Sequence, residues 1–209
     1  MRFVGLLSSG IDSPVAIYLL SKNAEEIVLI HADNTPFTDQ REIDNCIKLA
    51  KHLKTKSLCP LKLYMVDNGE SLSLYKSRSL SRFTCVFCKR MLLRYAEKIA
   101  KKEKADAIIM GDSLGQVASQ TIKNLKVIEQ AVTLPVLRPL IGFDKEEIIR
   151  IAKIIGTFDL SIVPSDGCSA VPDSPSTQAK LRQILEEENK IDIQSLTENA
   201  VKQARLYSL

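Results

Sequence analysis

The chain has 209 residues, 45% hydrophobic and 26% charged, a composition that excludes a disordered or fibrous protein and suits one sizeable α/β core. No apolar run is long enough to span a bilayer, and the N-terminus reads as a strand rather than a signal peptide, so a cytoplasmic protein is expected. Net charge is only +4, but Lys76–Lys104 holds ten basic residues against two acids, Glu97 and Glu103. A basic block of that density points to a polyanion such as RNA.

Phe3-Val4-Gly5-Leu6-Leu7 reads as a buried strand, and Pro14 sits in the first turn of a helix beginning near Ser13. The small-residue turn between them, Ser8-Ser9-Gly10, offers backbone N–H groups and a positive helix end to an anion, with the hydroxyls of Ser8, Ser9 and Ser13 as further donors. Glu26–His31 is a second strand, ending in His31-Ala32-Asp33. A lone histidine there is structural by default, although ligands of doubly wound sheets sit outside the carboxyl ends of strands, where Ser8 and His31 both fall. Thr38–Leu53 is an apolar-striped helix that buries Cys46, and Leu61–Val66 is a third strand.

A polar, basic stretch follows to Phe83, then Cys85-Val86-Phe87-Cys88-Lys89-Arg90 and an amphipathic basic helix to Lys104. Asp106–Gly111 is a fourth strand, and Leu134–Ile141 a fifth, interrupted by proline. Asp144 caps a helix to Ile155, with Glu147 as its capping-box partner. Pro164–Ser176 is a loop carrying Cys168, and a helical tail, broken near Lys190–Asp192, closes the chain. The alternation predicts an α/β fold with a mostly parallel five-stranded sheet and helices on both faces. Residues 1–173 are read as one domain and 174–209 as a C-terminal helical extension packed on it.

Five cysteines without secretory features argue for thiols, metal ligands or redox groups rather than a disulfide framework. Cys85 and Cys88 can share a metal, or form a reversible disulfide with pKa values lowered by a helix N-terminus and by Lys89 and Arg90. Cys168 is the remaining candidate for a third ligand. Such a site would leave one coordination position open.

Four segments in order carry a resemblance: Ser8-x-Gly10-Ile-Asp12-Ser13-Pro-Val-Ala, Cys85-x-x-Cys88-Lys89-Arg-Met, Gly111-Asp-Ser-Leu-Gly-Gln-Val-Ala-Ser-Gln120-Thr and Leu137-Arg-Pro-Leu-Ile-Gly-x-Asp144-Lys145-Glu-Glu-Ile. Together they resemble the PP-loop pyrophosphatase domain of ThiI-type tRNA 4-thiouridine synthetases, especially the archaeal form with Cys-x-x-Cys. Ser9 departs from the family loop, which carries glycine there, and a Cβ near the phosphates would weaken ATP binding. The resemblance implies a Rossmann-like PP-loop fold in which ATP adenylates a uridine C4 oxygen, pyrophosphate leaves, and sulfur displaces AMP to give 4-thiouridine. It implies that Leu6, Leu7, Ser8, Ser9, Gly10, Asp12 and Ser13 hold ATP, with Asp12 acting through Mg²⁺. His31 and Ala32 would border the adenine, and Lys89, Gly111 and Gln120 would make further nucleotide contacts. Lys145 would serve adenylation, and Cys168 falls where relatives carry a sulfur-handling cysteine.

Cys85, Cys88 and Cys168 are then expected to converge beside the loop, on a 4Fe–4S cluster, on zinc, or as a disulfide and persulfide system. Relatives place a THUMP RNA-binding domain before the PP-loop, and bacterial forms append a rhodanese domain; this chain begins at the first strand. The expected partners are therefore tRNA, a sulfur donor protein or sulfide, a separate THUMP-type RNA-binding protein and, for the oligomer, a homodimer. Two other readings stay open. An amide-forming PP-loop synthetase gives the cysteines no task, and a nucleotide-binding subunit would have its catalysis weakened by Ser9.

Overall fold

The computed structural model describes residues 1–209. Five parallel strands form the sheet: β1 (Arg2–Leu6), β2 (Glu26–Asp33), β3 (Leu61–Asp67), β4 (Ala107–Ile109) and β5 (Val136–Leu137). A sixth, β6 (Arg205–Tyr207), runs antiparallel to β3, giving the order β5-β4-β1-β2-β3-β6. The expected sheet is thus present with one strand added, in a segment read as wholly helical. Only three residues of β6 pair, all exposed, so neither length nor burial marked it in the sequence.

Strands β1 to β4 are buried on both faces, which is why they read as near-continuous apolar runs. One face, with Phe3, Ile27, Leu29, Leu63 and Ile109, packs on α1 (Asp12–Ser21), α2 (Gln40–Lys56) and α6 (Lys145–Ile155). The other, with Val4, Val28, Ile30, Val66 and Ile108, packs on α3 (Gly69–Arg78), α4 (Thr84–Glu103), α5 (Ile122–Glu129), α8 (Leu181–Glu188) and α9 (Ile193–Lys202). A single-turn α7 (Phe158–Ser161) follows α6. Asp144 caps α6 with the reciprocal capping box, its carboxylate accepting from Glu147 N–H while the Glu147 side chain accepts from Asp144 N–H.

Helix α3 falls where the sequence predicts only a polar, basic stretch. Its buried face is only Gly69, Ser71, Leu72 and Tyr75, too mixed to show a periodic apolar stripe. Helix α4 begins seven residues before the amphipathic run, so Cys85 and Cys88 lie within its first two turns rather than ahead of it.

The C-terminal helices are tied to α4 through Glu188. This buried carboxylate accepts from Arg90 at 2.8 and 3.0 Å and from Arg94 at 2.9 and 2.7 Å. Burial pushes the Glu188 carboxyl up, but the hydrogen bonds from Arg90 and Arg94 outweigh it and hold it below the usual range.

Candidate active site

The chain reverses its direction of travel across the sheet between β1 and β4, neighbours in space but far apart in sequence, and a cleft of about 480 Å³ opens at their carboxyl ends. Between β1 and α1 the turn is held by its serines: Ser8 N–H donates to Ser13 Oγ at 2.8 Å, and the two hydroxyls lie 3.1 Å apart. Ile11 occupies the N-cap of α1 and no side chain caps the helix. Its first-turn N–H groups are therefore available to an anion in the cleft. Gly111, just past β4, packs on that turn so closely that a Cβ would stand 2.7 Å from Ser13 Cα and N. No other residue fits there without moving the loop.

Leu6, Leu7, Ser8, Gly10, Asp12, Ser13, His31, Ala32, Lys89, Gly111, Gln120 and Lys145 all line the cleft. Ser9 does not. Its hydroxyl donates to Glu42 Oε2 at 2.5 Å and its N–H approaches Oε1 at 3.4 Å, so the residue that departs from the family pattern is turned onto a carboxylate of α2. Glu42 itself lines the cleft, as does Asn34. Neither belonged to a quoted motif, and no local signal pointed to them.

Two cations face the cleft on fixed carboxylates. Lys145 Nζ meets Asp12 Oδ1 at 2.6 Å, bringing the first residue of α6 to the first residue of α1 across 133 positions of sequence. Lys89 Nζ meets Asp112 Oδ1 at 2.5 Å. Asp112 is buried and also accepts from Arg138 Nε at 3.3 Å, and Arg138 is held in turn by Glu129 at 2.6 Å.

His31 is buried, with Nδ1 3.0 Å from Leu7 O. A carbonyl can only accept, so Nδ1 carries the proton and Nε2 is a bare acceptor without a partner. Burial pushes the His31 pKa down, which keeps the ring neutral. Gln120 Oε1 is likewise buried and unpartnered. Two orphaned acceptors lining one cleft fit a ligand that carries N–H donors, as the amino group of adenine does.

Cys85 and Cys88 lie outside the cleft lining, one helical turn along α4 from Lys89 and Leu92, which belong to it. All five cysteines are free thiols. Cys168, whose loop is pinned by Ser169 N–H to Phe37 O at 2.8 Å and by Arg41 to Asp166 at 2.7 Å, packs on the same core cluster as Cys88. It is near enough to act electrostatically on both thiols of α4. Burial, then the neighbouring Cys168, pushes Cys85 up; the same causes, with Cys85 added, push Cys88 up to about 12. This overturns the expectation of lowered pKa values. Arg90 has turned away to Glu188, Lys89 is shared with Asp112, and burial prevails.

No three His, Cys, Asp or Glu side chains form a ligand set, and Cys85, Cys88 and Cys168 are no exception. Cys168 nevertheless shares the neighbourhood of the two α4 thiols.

The basic block is also less available than its density implied. Arg90 is fully buried, Arg94 is shared with it on Glu188, and Lys98 pairs with Glu198 at 3.0 Å. The acids that neutralise these residues come from α8 and α9, nearly a hundred positions away, so a count within the segment could not include them. No helix is long and apolar enough to cross a membrane.

A doubly wound sheet whose first strand–turn–helix corner opens onto a cleft of this size is the architecture of nucleotide-binding α/β proteins. The family model for ThiI, described as thiamine biosynthesis protein, matches residues 2–193, and the chain belongs to that family. It is 43% identical over 193 residues to a protein of Methanothermobacter thermautotrophicus described as "Probable tRNA sulfurtransferase", covering 92% of this chain and 50% of that one. A relative of the same description from Thermus thermophilus is 42% identical over 204 residues, covering 97% and 50%. The chain thus spans about half the length of the curated relatives it matches. Among solved structures, a 4-thiouridine synthetase in complex with RNA and with bound ATP superposes with a TM-score of 0.93 at 36% identity, over 99% of this chain and 54% of that one. An NMN synthetase from Francisella tularensis, with a TM-score of 0.58 at 15% identity, shares the fold.

Proposed function

We propose that this chain carries out ATP-dependent thiolation of a tRNA uridine. The observation that carries the reading is the cleft itself. It combines an uncapped helix N-terminus, two cations held on carboxylates and two orphaned acceptors, with the two thiols of α4 one helical turn away and Cys168 packed on the same core cluster as Cys88. The phosphates of ATP suit the loop from Ser8 to Ser13, and the adenine suits the side of His31, Ala32 and Gln120. Mg²⁺ entering with ATP offsets phosphate charge, and Asp12 is the loop carboxylate suited to hold it. Lys145, on a flexible four-carbon stem, then has the transferring phosphate as its alternative partner.

In the first step the uridine O4 attacks the α-phosphorus, the bond to the β-phosphate oxygen breaks, and pyrophosphate leaves. The C4–O bond is then activated, since AMP is a far better leaving group than oxide. In the second step the terminal sulfur of a persulfide on Cys168 attacks C4 and AMP departs. The thiol of Cys85 or Cys88 next attacks Cys168 Sγ, its proton passing in net to N3 of the departing nucleobase; a protein disulfide forms and 4-thiouridine is released. An external sulfur donor supplies the persulfide, and an external dithiol reduces the disulfide. The raised pKa values keep the resting thiols protonated and protect them from adventitious oxidation. A separate THUMP-type protein is a fitting tRNA-delivering partner, because much of the basic block is neutralised internally.

The test is mass spectrometry of nucleosides from tRNA incubated with the protein, Mg-ATP, a persulfide sulfur donor and a dithiol reductant, alongside pyrophosphate release. 4-Thiouridine that depends on ATP is the expected result. Pyrophosphate without thiouridine would favour an amide-forming synthetase, and neither product would leave a nucleotide-binding protein.

A further inference from the structure

A buried polar chain joins the cysteine-bearing turn of α4 to the wall of the nucleotide cleft. Its centre is Asn68, the fully buried residue between β3 and α3. Every polar position of its carboxamide is used. Nδ2 donates to Asn34 Oδ1 at 2.7 Å and to Cys88 Sγ at 3.5 Å, and Oδ1 accepts from the Tyr95 hydroxyl at 3.0 Å. Tyr95 has one proton, already given to Asn68, so Ser71 Oγ, 2.8 Å away, must donate to it. The chain therefore runs in one direction, Ser71 to Tyr95 to Asn68, and that direction turns the amide N–H groups toward the sulfur and toward Asn34. Ser71 and Tyr95 are buried too, and Asn34 lines the cleft.

Three buried polar side chains in a core of Leu72, Tyr75 and Phe87 are costly unless each is satisfied, and leucine or phenylalanine would fill the same space without that cost. Nothing in the backbone near Asn68 requires a carboxamide: its own N–H is taken by Asp33 O and its carbonyl by Leu72 N–H. What its side chain serves is the sulfur and Asn34.

On the thiolation reading above, we infer that Asn68 is a positioning residue: it holds Cys88 Sγ in one orientation on an N–H and links that sulfur to the cleft wall through Asn34. Cys88, rather than Cys85, is then the thiol that resolves the persulfide, because only its sulfur is oriented by a fixed donor. The N–H also opposes the burial that pushes the Cys88 thiol up.

The test uses the full chain with Asn68→Leu and, as the milder change, Tyr95→Phe, which keeps the carboxamide but frees it to rotate. Limited alkylation of the native protein with iodoacetamide, read by tandem mass spectrometry, measures modification of Cys88 relative to Cys85 within each molecule. The expected result is a fall in the Cys88:Cys85 ratio of about three- to tenfold for Asn68→Leu, the worth of one hydrogen bond, and a smaller fall for Tyr95→Phe. Thiouridine formation should fall with it, while pyrophosphate release stays within about twofold of wild type, since Asn68 does not itself line the cleft and touches only its wall, at Asn34. An unchanged ratio in both variants overturns the inference, as does a loss of pyrophosphate release and thiouridine in equal proportion. If Asn68→Leu does not fold, the ratio in Tyr95→Phe decides. A shifted ratio in a protein whose wild type makes no thiouridine upholds the positioning role and refutes the thiolation reading instead.

Discussion

Replacing Glu188 with alanine removes the carboxylate that two arginines of α4 share. Glu188 side-chain exposure is 4%, Arg90 2% and Arg94 17%, so the pair is essentially out of water. Without Glu188, Arg90 keeps only its bond to the Val127 carbonyl and becomes a buried charge with no counter-ion. Breaking a buried pair by deleting one partner costs about 3–5 kcal/mol. For a domain of this size that is a fall in melting temperature of roughly 6–20 °C. Urea unfolding at pH 7 would measure it directly.

Replacing all three members of the network with apolar residues, Arg90→Met and Arg94→Leu with Glu188→Leu, should recover most of the loss, because no charge is then left buried. The pH dependence carries the same sign. The folded Glu188 pKa lies below its ordinary 4.5, so its contribution is present above that value and is lost as pH falls through the folded pKa. The stability gap between wild type and Glu188→Gln should close as the medium becomes acid. A loss under about 1 kcal/mol for Glu188→Ala at pH 7, the range of an exposed pair, would refute the burial argument.

Asp12→Ala and Lys145→Ala should each abolish pyrophosphate release while leaving the circular dichroism spectrum intact; normal turnover by either folded variant would remove that residue from adenylation. Ser9→Gly, which restores the family's residue and breaks the hydrogen bond to Glu42, should tighten ATP binding by about tenfold or more in calorimetry, the worth of one hydrogen bond to a charged group. Unchanged or weaker binding would show that Glu42 does not compete for the loop.

Local features of the chain were readable from the order of residues alone. Apolar runs at β1 to β4, the Ser8–Gly10 turn ahead of Pro14 and the Asp144–Glu147 capping box depend on neighbours a few positions apart, where period and hydrogen-bond geometry are set by the backbone. The motifs around Gly10, Cys85, Gly111 and Asp144 identified the family for the same reason. What pairs distant residues was not readable. Lys145 on Asp12, Glu188 on Arg90 and Arg94, Ser9 on Glu42 and β6 on β3 each join segments from 33 to more than a hundred positions apart. The cysteines show the difference most clearly. Their spacing and the basic residues beside them implied activated thiols, yet a pKa responds to burial and to charges in space. Packing of α4 beneath the C-terminal helices removed Arg90, and Asp112 claimed Lys89. Only the assembled fold decides which charges remain near a thiol and how much water reaches it.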